Sequence, residues 1–189
     1  MEIIPTKIAG CFIIQPRLFH DDRGLFYESY NSERFKDKSG VRTNFVQDNI
    51  SVSQRGVLRG LHFQIGYAAQ SKLVSVLKGE VLDVVVDLRK DSITFGKHIK
   101  VRLSESNRKQ LFIPKGMAHG FLSLADETIF SYKCDAFYTP SAESGIVYDD
   151  PELNIDWEFS KESLIISKKD LKLPTLKKAL HDISISDRV

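Results

Sequence analysis

Ser71-Lys-Leu-Val-Ser-Val-Leu-Lys-Gly-Glu-Val-Leu-Asp-Val-Val-Val-Asp-Leu88 is the stretch that decides the fold class. Two runs rich in β-branched residues flank the tight-turn candidate Lys78-Gly79-Glu80. Runs of the same kind lie on either side, at residues 11–15, 24–30, 44–53, 57–64, 95–103, 110–113, 119–124 and 128–137. Asp21-Asp-Arg-Gly24 and Pro114-Lys-Gly116 read as turns between them. About ten short strands at this spacing predict an all-β antiparallel sandwich or barrel. Short helices are expected at residues 31–36, opened by the capping residue Asn31, and at 174–180, where Leu176, Ala179 and Leu180 share a face. No repeat, linker or composition shift marks a second domain. Residues 1–189 read as a single domain with a short helical C-terminal tail.

Composition narrows the function classes. The chain has 189 residues, 42% of them hydrophobic and 28% charged, which excludes disorder, collagen-like repeats and coiled coil. A domain of that length buries roughly 70% of the surface its unfolded chain exposes, so no metal or disulfide staple is required. Net charge is +2 with the signs interspersed, and no basic face announces nucleic acid. The pairs Lys168-Lys169 and Lys177-Lys178 read as solvated surface. Two cysteines, Cys11 and Cys134, are too few for a disulfide scaffold and lack zinc-ligand spacing, and free thiols fit a reducing compartment. The N-terminus carries no signal pattern, and the apolar run 81–88 is broken by Asp83 and Asp87, far short of the ~20 residues of a spanning helix. A soluble cytoplasmic protein that binds no membrane is the expectation.

The pleat places polar groups on apolar faces. Alternate residues of a strand share a face, so Lys72 sides with Val74 and Val76, Tyr132 with Phe130 and Cys134, and His119 with Phe121. Arg59 and His62 fall on opposite faces of an ideal strand unless Gly60 hosts a bulge. Taken singly, each has a bland reading: a packed or exposed histidine, a snorkelling lysine, a core tyrosine. The functional readings are a general base at His62, a cation at Lys72 for a developing oxyanion, a phenolic proton donor at Tyr132 and a ligand-contacting donor at His119. His62, His98 and His119 are widely separated, and Gln64 occupies the place two after His62, so no metal site is expected.

Several segments together carry a resemblance. Phe19-His-Asp-Asp-Arg-Gly-Leu-Phe-Tyr-Glu28, Phe45-Val-Gln-Asp-Asn-Ile-Ser51 and Gly56-Val-Leu-Arg-Gly-Leu-His-Phe-Gln64 resemble those of dTDP-4-dehydrorhamnose 3,5-epimerases. So do Gln70-Ser-Lys-Leu-Val74, residues 79–89, Ser92-Ile-Thr-Phe-Gly96, Ile113-Pro-Lys-Gly-Met-Ala-His-Gly-Phe121 and Asp149-Asp-Pro151. The similarity runs in order from about residue 5 to residue 175, and Gly66-Tyr-Ala-Ala69 departs from the proline-bearing loop often found there. The resemblance implies a cupin-type jelly roll, usually a homodimer, that epimerises carbons 3 and 5 of a dTDP-linked 4-keto-6-deoxy-glucose without cofactor or metal. It also implies roles: His62 as base oriented by Asp170, Tyr132 as acid, Lys72 at the enolate, and Arg23 and Arg59 on the pyrophosphate. Glu28, Gln47, Asp48, Asn49, His119, Glu143 and Lys168 match positions around nucleotide and sugar, and Tyr138 a base-stacking position. Rival readings are a single-centre epimerase or ketoisomerase on a related sugar nucleotide, and a non-catalytic sugar-nucleotide-binding cupin.

Overall fold

A computed structural model describes the backbone of residues 1–186 and the side chains of residues 1–182; residues 187–189 of the expected domain lie outside the described residues. In chain order the elements are β1 (Glu2–Pro5), β2 (Phe12–Gln15), β3 (Phe19–Asp21), β4 (Gly24–Phe26), α1 (Ser32–Ser39), β5 (Gln47–Ser53), β6 (Val57–Gln64), β7 (Lys72–Lys78), β8 (Glu80–Asp87) and β9 (His98–Ser104). There follow β10 (Gln110–Ile113), β11 (Met117–Ser123), β12 (Thr128–Cys134), β13 (Glu143–Gly145), β14 (Ile165–Ile166) and α2 (Leu176–Ser186). One six-stranded sheet runs β1-β2-β10-β7-β12-β5. The other runs β13-β6-β11-β8-β9, with β14 also joined to β6. Strands β3 and β4 form a separate two-stranded ribbon.

The Lys78-Gly79-Glu80 turn does not make a hairpin. It carries the chain from one sheet to the other, since β7 pairs with β10 and β12 while β8 pairs with β9 and β11. A Cβ at Gly79 would lie 2.5 Å from Thr128 Oγ1, and its φ of +81° is a left-handed conformation that glycine adopts freely. This repeated change of sheet gives the cupin-type jelly roll.

Burial follows from the pleat. Strand β8 is buried on both faces: Val81 and Val85 join the apolar layer between the sheets, while Leu82, Val84 and Val86 face a second layer. That second layer is closed by the C-terminal segment through Tyr148, Trp157, Leu176 and Ala179. A third cluster forms where α1 seats Phe35 against Phe12 and Phe112. Among the described residues no helix is long and apolar enough to cross a membrane.

Some sequence expectations shift. The strand expected at 24–30 stops at Phe26, because the β3–β4 ribbon has no further partner and Tyr30 turns to pack on Phe35 and Phe45. The strand expected to reach residue 137 stops at Cys134, where the Asp135 carboxylate accepts the Ser71 amide at 2.6 Å. The expected start at 95 moves to His98, since residues 92–97 form turns around the Asp87 carboxylate. Helix α1 extends to Ser39 behind its Asn31 cap, and α2 starts at Leu176, two residues after Pro174.

Gly60 hosts a bulge. His119 pairs with His62 but Phe121 pairs with Arg59, so β6 carries one extra residue and Arg59 and His62 turn to the same side. The bulge brings Gly60 against Gly120: a Cβ at Gly60 would stand 2.6 Å from Gly120 Cα and 2.8 Å from the His119 carbonyl oxygen. Gly60 also has φ of +123°. Gly60→Ala is therefore expected to cost about 2 kcal/mol or more. Urea unfolding checks this, and a loss below about 0.5 kcal/mol contradicts the close approach.

Candidate active site

Two adjoining compartments, about 510 and 280 Å³, open between the sheets, and His62, Lys72 and Tyr132 line both. Lys72 and Tyr132 come from neighbouring strands of one sheet, β7 and β12, with the ammonium 5.9 Å from the phenol ring centroid. His62 and His119 come from β6 and β11 of the other sheet, as directly paired residues. The imidazole of His62 and the phenol of Tyr132 thus project into one space from opposite walls.

His62 is held by a carboxylate. Its Nε2 lies 2.9 Å from Asp170 Oδ1, and the other Asp170 oxygen accepts the Gly60 amide that the bulge frees. The Asp170 amide in turn donates to Ser167 Oγ. Burial alone would raise the Asp170 carboxyl, but the bonds from His62, Gly60 and Ser167 hold it below its ordinary value. With Nε2–H donating to an ionised carboxylate, Nδ1 of His62 keeps a lone pair for a proton.

The remaining groups grade from charged to apolar. Burial pushes the Lys72 ammonium below its ordinary value, opposed by Cys134, Asp83 and Glu143. Burial raises the Tyr132 phenol, so it stays protonated at neutral pH. Arg59 donates to Ser53 Oγ and lines the larger compartment with Ser51 and Ser167. His119 stacks on Phe130, which stacks on Phe121 at 4.2 Å, fixing the imidazole over an aromatic floor. The smaller compartment holds Gln47, Asn49, Tyr138 and Glu143, with Tyr138 donating its hydroxyl to Glu143 at 2.7 Å. Among the described residues no group of three or more His, Cys, Asp and Glu side chains is arranged to hold a metal ion.

Four expected site residues lie outside both compartments. Asp48 points outward and pairs with Lys133, because strand alternation turns Gln47 and Asn49 inward and their neighbour away. Lys168 is exposed; the adjacent Lys169 is the lysine that reaches Glu143. Arg23 sits at the tip of the β3–β4 ribbon, its side chain 90% exposed and paired with Asp21. Glu28 lies between that ribbon and α1, paired with Arg34. Sequence reasoning passed over Asp83 and Lys169. Asp83 was legible as an inward acidic position in an otherwise apolar strand; Lys169 was not, because nothing local separates it from Lys168.

The Asp170 pairing has a pH signature. A carboxyl depressed in the folded state stabilises above its unfolded value, near pH 4, and that contribution is lost as pH falls through the folded value. The stability deficit of Asp170→Asn is thus expected to be full at pH 7 and to shrink below about pH 4. Urea titrations of both proteins from pH 3 to 7 check this; a deficit that does not change with pH contradicts an ionised pair.

A family model described as dTDP-4-dehydrorhamnose 3,5-epimerase matches residues 5–178. A curated relative of that name from Methanothermobacter thermautotrophicus is 51% identical over 170 residues, covering 89% of this chain and 91% of the relative. The crystal structure of dTDP-4-dehydrorhamnose 3,5-epimerase from Elizabethkingia anophelis superposes with a TM-score of 0.91 at 48% identity, covering 94% of this chain and 97% of that one. A dTDP-6-deoxy-D-glucose-3,5-epimerase from Legionella pneumophila, solved in complex with dTDP-4-keto-L-rhamnose, superposes at 0.89 with 48% identity over 93% of each chain. With the family model matching most of its length and these proteins agreeing with it in sequence and fold, the chain belongs to the dTDP-4-dehydrorhamnose 3,5-epimerase family.

Proposed function

We propose that this cavity epimerises carbons 3 and 5 of a dTDP-4-keto-6-deoxy-glucose to give dTDP-4-dehydro-L-rhamnose, through an enolate. The observation that carries the reading is the placement of His62 and Tyr132 on opposite sheets, with Lys72 in the walls they share. A ketone at carbon 4 acidifies the hydrogens on carbons 3 and 5. Nδ1 of His62 takes one of them, and the electron pair it leaves moves into the ring bond and onto the carbonyl oxygen. Lys72 stabilises that oxygen by charge in a space where little water screens it. Tyr132 returns a proton to the same carbon from the other face, which inverts it, and base and acid then exchange with solvent before the second carbon reacts. Asp170 fixes the tautomer of His62 and stabilises the imidazolium.

The nucleotide end draws on Arg59 for the pyrophosphate and on Gln47, Asn49, Glu143 and Tyr138 for sugar and base. Arg23 and Glu28 reach a ligand only if the ribbon that carries them meets the pocket of a second copy, so the reading includes a homodimer. Phe19, Leu25 and Phe26 on that ribbon, and Ile50 and Val52 on edge strand β5, are exposed apolar side chains that such an assembly would cover. Two buried free cysteines suit a reducing cytoplasm as the place of action.

Turnover of the 4-keto sugar nucleotide in D₂O tests the chemistry. Deuterium is expected at carbons 3 and 5 of an L-configured product; label confined to one carbon contradicts it. His62→Asn is expected to lose about 10²-fold or more in kcat, and full activity in that variant removes the proposed base. Sedimentation is expected to give twice the 21.5 kDa of the chain, and a monomer under assay conditions contradicts the shared site.

A further inference from the structure

Among the described residues four aspartates are buried: Asp83, Asp87, Asp150 and Asp170. Three have both oxygens engaged. Asp87 accepts from Arg89, Ser92 and Thr94; Asp150 from the amides of Glu152, Leu153 and Leu176; Asp170 from His62 and Gly60. Asp83 differs. Its Oδ2 meets His119 Nε2 at 2.9 Å, while its Oδ1 is buried with no hydrogen-bond partner. It is fully buried between Val81 and Val85 on the inward face of β8, amid the apolar layer that separates the sheets. A carboxylate there needs a compensating charge.

Beyond His119, Lys72 supplies positive charge at longer range and needs a negative one in return. The titratable and charged groups facing it are Asp83 on β8, Arg59 and His62 on β6, His119 on β11, Tyr132 and Cys134 on β12, and Glu143 on β13. Cys11, ahead of β2, also lies within electrostatic reach of Asp83, and its thiol is pushed up to about 12 by burial, so it stays neutral. Asp170 lines the same compartment as Lys72 but is engaged by His62 and Gly60, which leaves two carboxylates to weigh. Glu143 is taken by Lys169 and Tyr138, which hold it below its ordinary value against the effect of burial. Asp83 is left to balance Lys72: burial raises the Asp83 carboxyl, opposed first by His119 and then by Lys72, and burial lowers the Lys72 ammonium, opposed by Cys134 and then by Asp83.

We propose that Asp83 is a positioning residue of this site: one oxygen fixes His119 above the cavity, and the carboxylate as a whole keeps Lys72 an ammonium ready for the enolate. The effect on turnover rests on the epimerase reading above; the effect on Lys72 does not. A purely structural carboxylate in such a place would have both oxygens bonded, as Asp87 and Asp150 do.

Asp83→Asn keeps the shape and an acceptor for His119 but removes the charge. The first measurement is the titration of the Lys72 side chain, followed by NMR on lysine-labelled protein and assigned by its absence in Lys72→Met. In Asp83→Asn its midpoint is expected to fall by about one unit or more; an unmoved midpoint overturns the proposal whether or not the chain is an epimerase. The second is steady-state kinetics on the 4-keto sugar nucleotide. Asp83→Asn is expected to lose about 30-fold or more in kcat with KM changed less than about threefold, and the basic limb of its kcat profile moves to lower pH. Asp83→Glu, which restores the charge, recovers at least part of kcat. In the double variant Lys72→Met/Asp83→Asn the further loss beyond Lys72→Met is expected to stay within about threefold. Wild-type kcat with an unshifted profile in Asp83→Asn overturns the proposal, and so does loss of folding in both Asp83 variants, since structure then accounts for the residue. A wild-type chain that turns over no keto sugar defeats the epimerase reading and leaves the Lys72 titration to decide the role of Asp83.

Discussion

The contact of Gly60 with Gly120 is the constraint on which the site depends. Two backbones approach there more closely than a side chain on either glycine would allow, and a Cβ on Gly120 would meet the Arg59 carbonyl oxygen at 2.7 Å. The extra residue this accommodates breaks the strict alternation of β6. Without it, Arg59 and His62 would face opposite sides of the sheet. The same bulge turns the Gly60 amide out of the ladder and toward Asp170, which arrives from the C-terminal segment more than a hundred residues later. One local irregularity thus aims two cavity residues and supplies an anchor for a third.

A second consequence concerns where charge can reside. The space between the sheets is walled by Val74, Val76, Phe121 and Phe130, all buried. Charges in such a layer persist when each has an opposite neighbour or a set of hydrogen bonds. Asp170 has its bonds from His62 and Gly60, and Glu143 has Lys169. Lys72 makes no ion pair within 4.0 Å among the described residues and is held by longer-range attraction, so its charge stays available to a ligand. The proposed role of Lys72 at the enolate calls for this condition, because a lysine locked into a tight pair would have spent its field on its partner.

The layers of the fold were legible because period two is a strong signal in long apolar strands such as β7 and β8. The same rule placed Lys72, Tyr132 and His119 on inward faces. It also turns Asp48 outward, a point that carrying over the Gln47-Asp48-Asn49 motif as a block obscured. The change of sheet at Gly79 was not readable, since a tight turn between two strands looks alike whether the strands pair or part. The meeting of Asp170 with His62 was legible only through the family resemblance, since sequence distance hides from local pattern a contact made by a segment whose own structure is a single 3-10 turn. Arg23 shows the opposite limit. Its motif is local and clear, but its side chain lies at an exposed ribbon tip, outside the pocket of its own chain.

The most direct measurement is a crystal structure of the protein bound to a dTDP-hexose that lacks the ketone and so cannot react. The account predicts a pyranose ring lying between the sheets, with His62 Nδ1 against one face, Tyr132 Oη against the other and the oxygen on carbon 4 within hydrogen-bond distance of Lys72. A ring with both groups on the same face, or one seated away from all three, contradicts it.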